Sequence, residues 1–270
     1  MTLSLTLREP PAQRVDMSPL SADHLVGKST AQIAAMELSC GNRKVQVDSL
    51  FAVSGTYASE LRIVGGCDKL DRLGEGMTHG SILVEGDIGA FAGAGMQGGH
   101  IEVKGDAGAY AASGMTGGVL RIGGNAGDFL AAAIPGVHRG MAGGTVVVSG
   151  DAGDRVGDHM RRGAVLIEGN AGEYCASRMG AGTIAVWGTV GASPGLGMKR
   201  ATLLLRQVPG HLLPTFNDCG TTSHGFLSLA VRAWRPLSTT FGSRAGSQVR
   251  ARRFVGDLAN EGRGEILVWA

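Results

Sequence analysis

Seven short stretches between residues 81 and 207 share one alternation of apolar and polar positions: SILVEG, HIEVKG, VLRIGG, TVVVSG, AVLIEG, TIAVWG and TLLLRQ. The second and fourth residues are apolar each time, from Ile82 and Val84 to Leu203 and Leu205. A period of two with one apolar set predicts a strand with one buried face. The stretches divide the chain into units 62–80, 81–99, 100–118, 119–144, 145–163, 164–182, 183–201 and, degenerately, 202–220. Six of the first seven units have 19 residues, and the fourth carries seven extra.

Five of the seven run into Gly-Asp or Gly-Asn, at Asp87, Asp106, Asn125, Asp151 and Asn170, with a further Gly two residues on. Gly and Asx tolerate positive φ, and the Asx side chain bonds nearby backbone, so each unit is expected to turn a sharp corner there. Met then recurs in one register: Met77, Met96, Met115, Met141, Met160, Met179 and Met198. A 19-residue unit of this kind cannot bury its apolar strand face alone; stacked on its neighbours it can. The expected fold is all-β, a right-handed parallel β-helix of about eight coils of 19 residues, with a Met ladder inside. Its flanks are a short N-terminal helical cap, where Ser29 to Gln32 reads as a capping box opening a helix through Leu38, and an irregular C-terminal cap. The domain boundaries follow: leader and cap 1–60, β-helix 61–220, C-terminal cap or partner-binding segment 221–270, with Arg244, Arg250, Arg252 and Arg253 in its Arg-rich stretches. GEILVWA at the C-terminus reads as a final strand.

Composition agrees with a stacked, small-residue architecture. Gly accounts for 46 of 270 residues and aromatics for 5%, while 43% hydrophobic content excludes a disordered Gly-rich linker. A net charge of +2 gives no support for nucleic-acid binding. Cys40, Cys67, Cys175 and Cys219 lack metal-ligand spacing and read as buried free thiols in a reducing compartment. Without a secretion-signal pattern or an apolar run of membrane-spanning length, the chain reads as cytoplasmic and unattached to a membrane.

The histidines form no HxH or HExxH motif, GxSxG is absent, and no Gly-rich segment matches a phosphate loop. The Asx ladder reads as corner chemistry, not as a metal site. No catalytic residue, metal ligand or bound cofactor is therefore assigned to this chain. A polysaccharide-lyase-like enzyme would need an exposed catalytic cluster and a secretion signal, and neither is visible.

Two features remain. The insertion of the fourth unit, with Ile134, Pro135, Val137 and His138, is an apolar bulge on a regular rod; it reads as local packing or as a partner-facing loop. Beside the Met column the later units carry cations, Arg139, Arg161, Arg162, Arg178, Lys199 and Arg200, where earlier units carry Thr78, Gln97 and Thr116. Stacking would align them along one edge, as a solvated rim or as a track for a polyanion. The outward strand positions Val147, Leu166, Ala185 and Leu204 are apolar as well and read as a partner interface.

The 19-residue repeat, the stretch PGVHRGMAGGTVVVSGDAGDRVGDHMRRGAVLIEGNAG at 135–172 and RRFVGDLANEGRGEILV at 252–268 resemble the C-subunit family of formylmethanofuran dehydrogenase. The resemblance covers nearly the whole chain and includes the bacterial C (gamma) subunit of the formyltransferase/hydrolase complex. It implies a non-catalytic scaffold in a hetero-oligomer with A, B and D subunits. That complex transfers formyl from formyl-tetrahydromethanopterin to a methanofuran-type carrier and hydrolyses it to formate, in formaldehyde oxidation. The carrier, with its glutamate-rich tail, is implied at the level of the complex. The alternatives are the C subunit of an archaeal-type molybdenum or tungsten formylmethanofuran dehydrogenase, and a stand-alone structural β-helix like the one in glutamate synthase. The excess of Arg over Lys favours the bacterial version.

Overall fold

The computed structural model describes residues 2–243 and 249–270, so Arg244 lies outside the described residues. In chain order the elements begin with β1 (Thr2–Leu7), β2 (Val15–Asp16), α1 (Ala22–Leu25), α2 (Thr30–Ala34), β3 (Glu37–Cys40), β4 (Arg43–Gln46), α3 (Val47–Leu50) and β5 (Phe51–Ser54). The repeat follows as β6 (Tyr57–Gly66), β7 (Leu70–Asp71), β8 (Ser81–Gly86), β9 (His100–Val103), β10 (Val119–Ile122), β11 (Ala142–Val148), β12 (Arg162–Ile167), β13 (Thr183–Val186) and β14 (Thr202–Leu205). The C-terminal part holds β15 (Asn217–Ser223), α4 (Gly225–Trp234), α5 (Thr240–Ser243), β16 (Arg250–Gly256) and β17 (Gly264–Trp269).

The expected all-β right-handed parallel β-helix is corrected by this arrangement. The described strands form a mixed sheet of 13 strands, in the order β15-β16-β17-β14-β13-β12-β11-β10-β9-β8-β6-β1-β5, and a sheet of 4, β4-β3-β2-β7. Strands do not close the units into a solenoid, and the large sheet is antiparallel at both ends, where β1 meets β5 and β15 to β17 pair. The physical reason lies between the strands. Arg72, Phe91, Tyr110, Phe129, Arg155, Tyr174 and Ser193 all take φ between 56° and 62°, which no extended strand accommodates. Pairing on that side is reduced to single bridges, Ile88↔Ala107↔Ala126↔Ala152↔Ala171↔Val190.

The strands of successive units nevertheless pair in parallel and in register, Ile82 beside Ile101, Ile101 beside Leu120, Val146 beside Val165. Their inward residues and all seven register methionines are fully buried in one core. Met and Gly are coupled across units. A Cβ on Gly118, at φ +84°, would stand 2.6 Å from the Met96 methyl, so only Gly lets that methionine reach across.

The Asx residues do more than turn corners. Asp87 Oδ1 accepts the backbone N–H of Asp106 (2.9 Å), Asp106 Oδ1 that of Asn125 (2.6 Å), Asn125 Oδ1 that of Asp151 (2.9 Å) and Asp151 Oδ1 that of Asn170 (2.7 Å). Each side chain thus satisfies a backbone donor of the next unit, which would otherwise lack a partner at the corner. Asn serves as well as Asp because only an acceptor oxygen is needed.

At the N-terminus Ser29 and Gln32 form the expected capping box, but the helix stops at Ala34 and Leu38 belongs to β3. A five-residue helix suffices because only Ile33 has a core site to fill. At the C-terminus GEILVW is β17, parallel to β14.

Candidate functional site

The cationic edge is built by the turns on either side of the Met column. In five units the residue before Met is Gly: Gly76, Gly95, Gly114, Gly140 and Gly197, four of them at φ 63° to 72°. His159 and Arg178 stand at the same place in the other two, held at φ 60° and 49°. A side chain in that region costs on the order of 1 kcal/mol, a strain that Gly avoids at this register position in Gly76, Gly95, Gly114 and Gly197.

Arg178 is fixed by Asp158, a carboxylate only 4% exposed. Asp158 Oδ1 accepts from Arg178 Nε (2.9 Å) and from Ser177 Oγ (3.0 Å), and its other oxygen accepts a second guanidinium bond. The hydrogen bonding to Asp158 raises the Arg178 pKa further, while about half the side chain remains in solvent. His159 is pushed below the ordinary imidazole value by burial, with Arg178, His138 and Arg161 adding to the effect and Asp158 opposing it. Its ring meets His138 edge-on, with centroids 5.6 Å apart.

The structure brings His138, His159, Arg161, Arg178 and Lys199 together around a cleft of about 380 Å³, closed by Asn260. Asn260 arrives from the C-terminal segment, its Nδ2 donating to Asp257 Oδ2 (2.7 Å), and that oxygen also accepts from Gly197 N (3.0 Å). Arg200 lies beside it, with Lys199, Arg263 and Glu261, around a cleft of about 300 Å³. Arg139 faces a different cleft, toward the earlier units. Arg162 opens β12 as an exposed residue that lines none of these three. Among the described residues, Arg139, Arg161, Arg162, Lys199 and Arg200 have no acidic ion-pair partner. Such a row of uncompensated cations attracts a chain of carboxylates or phosphates.

His159, Asp158, Asn260 and Arg263 were not singled out by sequence reasoning. The first had a usable signal, since a side chain replacing the register Gly before Met marks a departure from the repeat. Asn260 and Arg263 had none, because they reach the edge through a tertiary fold of residues 257–263.

Ile134, Pro135, Val137 and His138 are all exposed on the insertion loop. The reading of Val147, Leu166 and Leu204 as a partner interface is corrected. All three are buried, with Ala185, under Leu227, Val231, Trp234 and Phe241 of the chain's own α4 and α5. The segment after residue 220 loses the repeat because it folds back over the sheet, where Thr240 N–H donates to Glu168 Oε1 (2.8 Å) and Arg121 donates to Leu237 O (2.6 Å). Of the cysteines Cys175 is buried, its thiol pushed up to about 12 by burial, whereas Cys219 is exposed. Among the described residues no group of three or more His, Cys, Asp or Glu side chains is placed to hold a metal ion, and no helix is long and apolar enough to cross a membrane.

No family model matches the chain. It is 40% identical over 86 residues to the C subunit of the formyltransferase/hydrolase complex Fhc of Methylorubrum extorquens, a match covering 32% of each chain. It is 34% identical over 95 residues to the C subunit of the tungsten-containing formylmethanofuran dehydrogenase 2 of Methanothermobacter marburgensis, covering 33% of this chain and 35% of the relative. These matched stretches span about a third of the curated relatives. The structural match is far more extensive. A chain in the crystal structure of the Methylorubrum extorquens formyltransferase/hydrolase complex (FhcABCD), determined with methylofuran, superimposes with a TM-score of 0.91 at 40% identity, covering 99% of both chains. At 40% identity over that full length, the chain belongs to the C-subunit family shared by the formyltransferase/hydrolase complex and formylmethanofuran dehydrogenase.

Proposed function

We propose that this chain is the C subunit of a cytoplasmic formyltransferase/hydrolase complex, a non-catalytic scaffold that assembles with A, B and D subunits. The observation that carries this reading is the 40% identity and 0.91 TM-score over 99% of both chains with a component of the Methylorubrum extorquens complex. The reaction of the assembly is formyl transfer from formyl-tetrahydromethanopterin to a methanofuran-type carrier, followed by hydrolysis to formate. In this reading residues 1–60 and 221–270 are end segments of the repeat; α4 and α5 pack on the sheet, and β16 and β17 continue it.

In this reading the basic edge holds a chain of carboxylates, from the carrier's tail or from a partner surface. Arg suits the task because its planar fork grips a carboxylate with two hydrogen bonds. Exposed pairs contribute only about 0–1 kcal/mol each, yet several on one linked ligand reinforce one another. The test is purification of the native chain with whatever it binds, and assay of the isolated chain. Co-elution with three further subunits, activity in the complex and none in the isolated chain is expected. Turnover by the isolated chain that a point substitution within it abolishes would refute the scaffold role.

A further inference from the structure

The insertion loop separates two clefts along the same edge. On its far side lies the basic cleft around His159 and Arg178. On its near side is a cleft of about 360 Å³, lined by Arg72, Glu75, Phe91, Ile134, Val137 and Arg139. Its floor is rigid. Phe91 stacks on Tyr110 (5.2 Å between centroids) and Tyr110 on Phe129 (4.7 Å), while the Arg72 guanidinium lies 5.1 Å above the Phe91 ring. Arg72 is neutralised by both oxygens of Glu75, each at 3.0 Å, so Arg139 is the uncompensated charge of this cleft.

The loop itself is ordered by backbone bonds, Ala133 N to Asp158 O (3.0 Å), Val137 N to Ile134 O (3.0 Å) and Gly140 N to His159 O (3.1 Å). It nevertheless holds Ile134 and Val137 in solvent, 41% and 45% exposed. A held ridge with apolar side chains in water, an aromatic platform on one side and free cations on the other has the anatomy of a protein-binding hot spot. Charge complementarity names the occupant. An apolar residue fits over Phe91, with Arg139 in the same cleft, and acidic residues that follow it past the loop reach the cleft of Arg161 and Lys199.

We propose that the loop at residues 133–140 is a docking ridge for an extended acidic segment of a partner protein in the complex, anchored by an apolar residue between Phe91 and Val137. The proposal rests on the chain being part of a hetero-oligomer, as proposed for its function. The test places a benzophenone photo-crosslinker at position 137 in the assembled complex and maps the adduct by mass spectrometry. The expected adduct lies on a partner segment in which an apolar residue is followed within about five positions by at least two Asp or Glu. In parallel, the exposed pair is changed together, Ile134→Asp with Val137→Asp, and partner retention is expected to fall by about tenfold or more at an unchanged unfolding temperature. An adduct to the carrier alone, to a segment without acidic residues, or to nothing in an assembled complex overturns the ridge and leaves the assignment to the complex standing. A native chain that purifies without partners overturns both.

Discussion

Asp158 and Arg178 form a pair in which a carboxylate 4% exposed aims a guanidinium that is half in solvent. The buried member is fully used, accepting from Ser177 Oγ and twice from Arg178. The exposed member keeps the rest of its fork for a ligand. Asp158→Ala removes the acceptor from a buried Ser177 hydroxyl and should cost about 1–3 kcal/mol in chemical denaturation. Arg178→Ala leaves the charged carboxylate uncompensated in its buried place and is expected to be at least as costly. Equal and negligible losses in both variants would show that the pair neither orders the edge nor stabilises it.

His159 makes stability depend on pH in a defined direction. Its pKa in the folded chain lies below the ordinary value of 6.5. As pH falls through about 6.5 the unfolded chain takes up a proton that the folded chain refuses, so the folded state loses stability on acidification and keeps it at higher pH. His159→Asn, a residue that tolerates positive φ, should flatten the fall in stability that sets in as pH drops below about 6.5. An unchanged profile measured by urea unfolding would place the responsible group elsewhere.

The coupling of Met to Gly across units predicts unequal costs for two similar substitutions. At Gly118 an added Cβ would meet the Met96 methyl at 2.6 Å and the Gly99 carbonyl oxygen at 2.8 Å, at φ +84°. At Gly114, φ +65°, the nearest atom is Gly95 N at 4.0 Å. Gly114→Ala should therefore cost only the backbone strain, on the order of 1 kcal/mol, and Gly118→Ala about 2–4 kcal/mol. Comparable losses, read by thermal unfolding, would mean that the methionine moves aside freely.

Asp106 distinguishes the acceptor role from any role of charge. Asp106→Asn keeps the oxygen that accepts from Asn125 N, whereas Asp106→Ala leaves that donor unpaired. The first variant should be near neutral and the second lose about 1 kcal/mol. A large loss in the Asn variant would show that the carboxylate charge matters.

On the basic edge, replacing Arg161 and Arg162 together by Gln should shift dissociation of the complex, or loss of any acidic ligand held there, to lower salt concentrations. Fewer cations then hold a ligand whose binding is already screened at physiological ionic strength. Complex stoichiometry and carrier content, followed across a salt series, identify which ligand the edge holds. Identical salt profiles for wild type and variant would make these residues a solvated rim.

Much of this molecule is written locally. The alternation at Ile82/Val84, repeated to Leu203/Leu205, determined which strand residues point into the core beside the Met column, because side chains on a strand must alternate between faces. The period of 19 determined that equivalent residues meet, and with it the burial of the Met column. Corner chemistry was legible as turn-forming residues, although not as bonds between units, since an Asx acceptor has several donors within reach and stacking selects one. Only the tertiary structure decided what covers Val147, Leu166 and Leu204. An apolar outer face demands a cover without saying whether it comes from a partner or from residues far along the same chain, and here α4 and α5 supply it. It decided equally that positive-φ residues such as Phe91 and Tyr110 interrupt the remaining sides, leaving a mixed sheet with antiparallel ends in place of a closed coil of strands. The same holds for the edge. The cations were visible in the sequence, but the carboxylate that aims Arg178 and the loop that brings Asn260 to Lys199 exist only where separate turns are packed together.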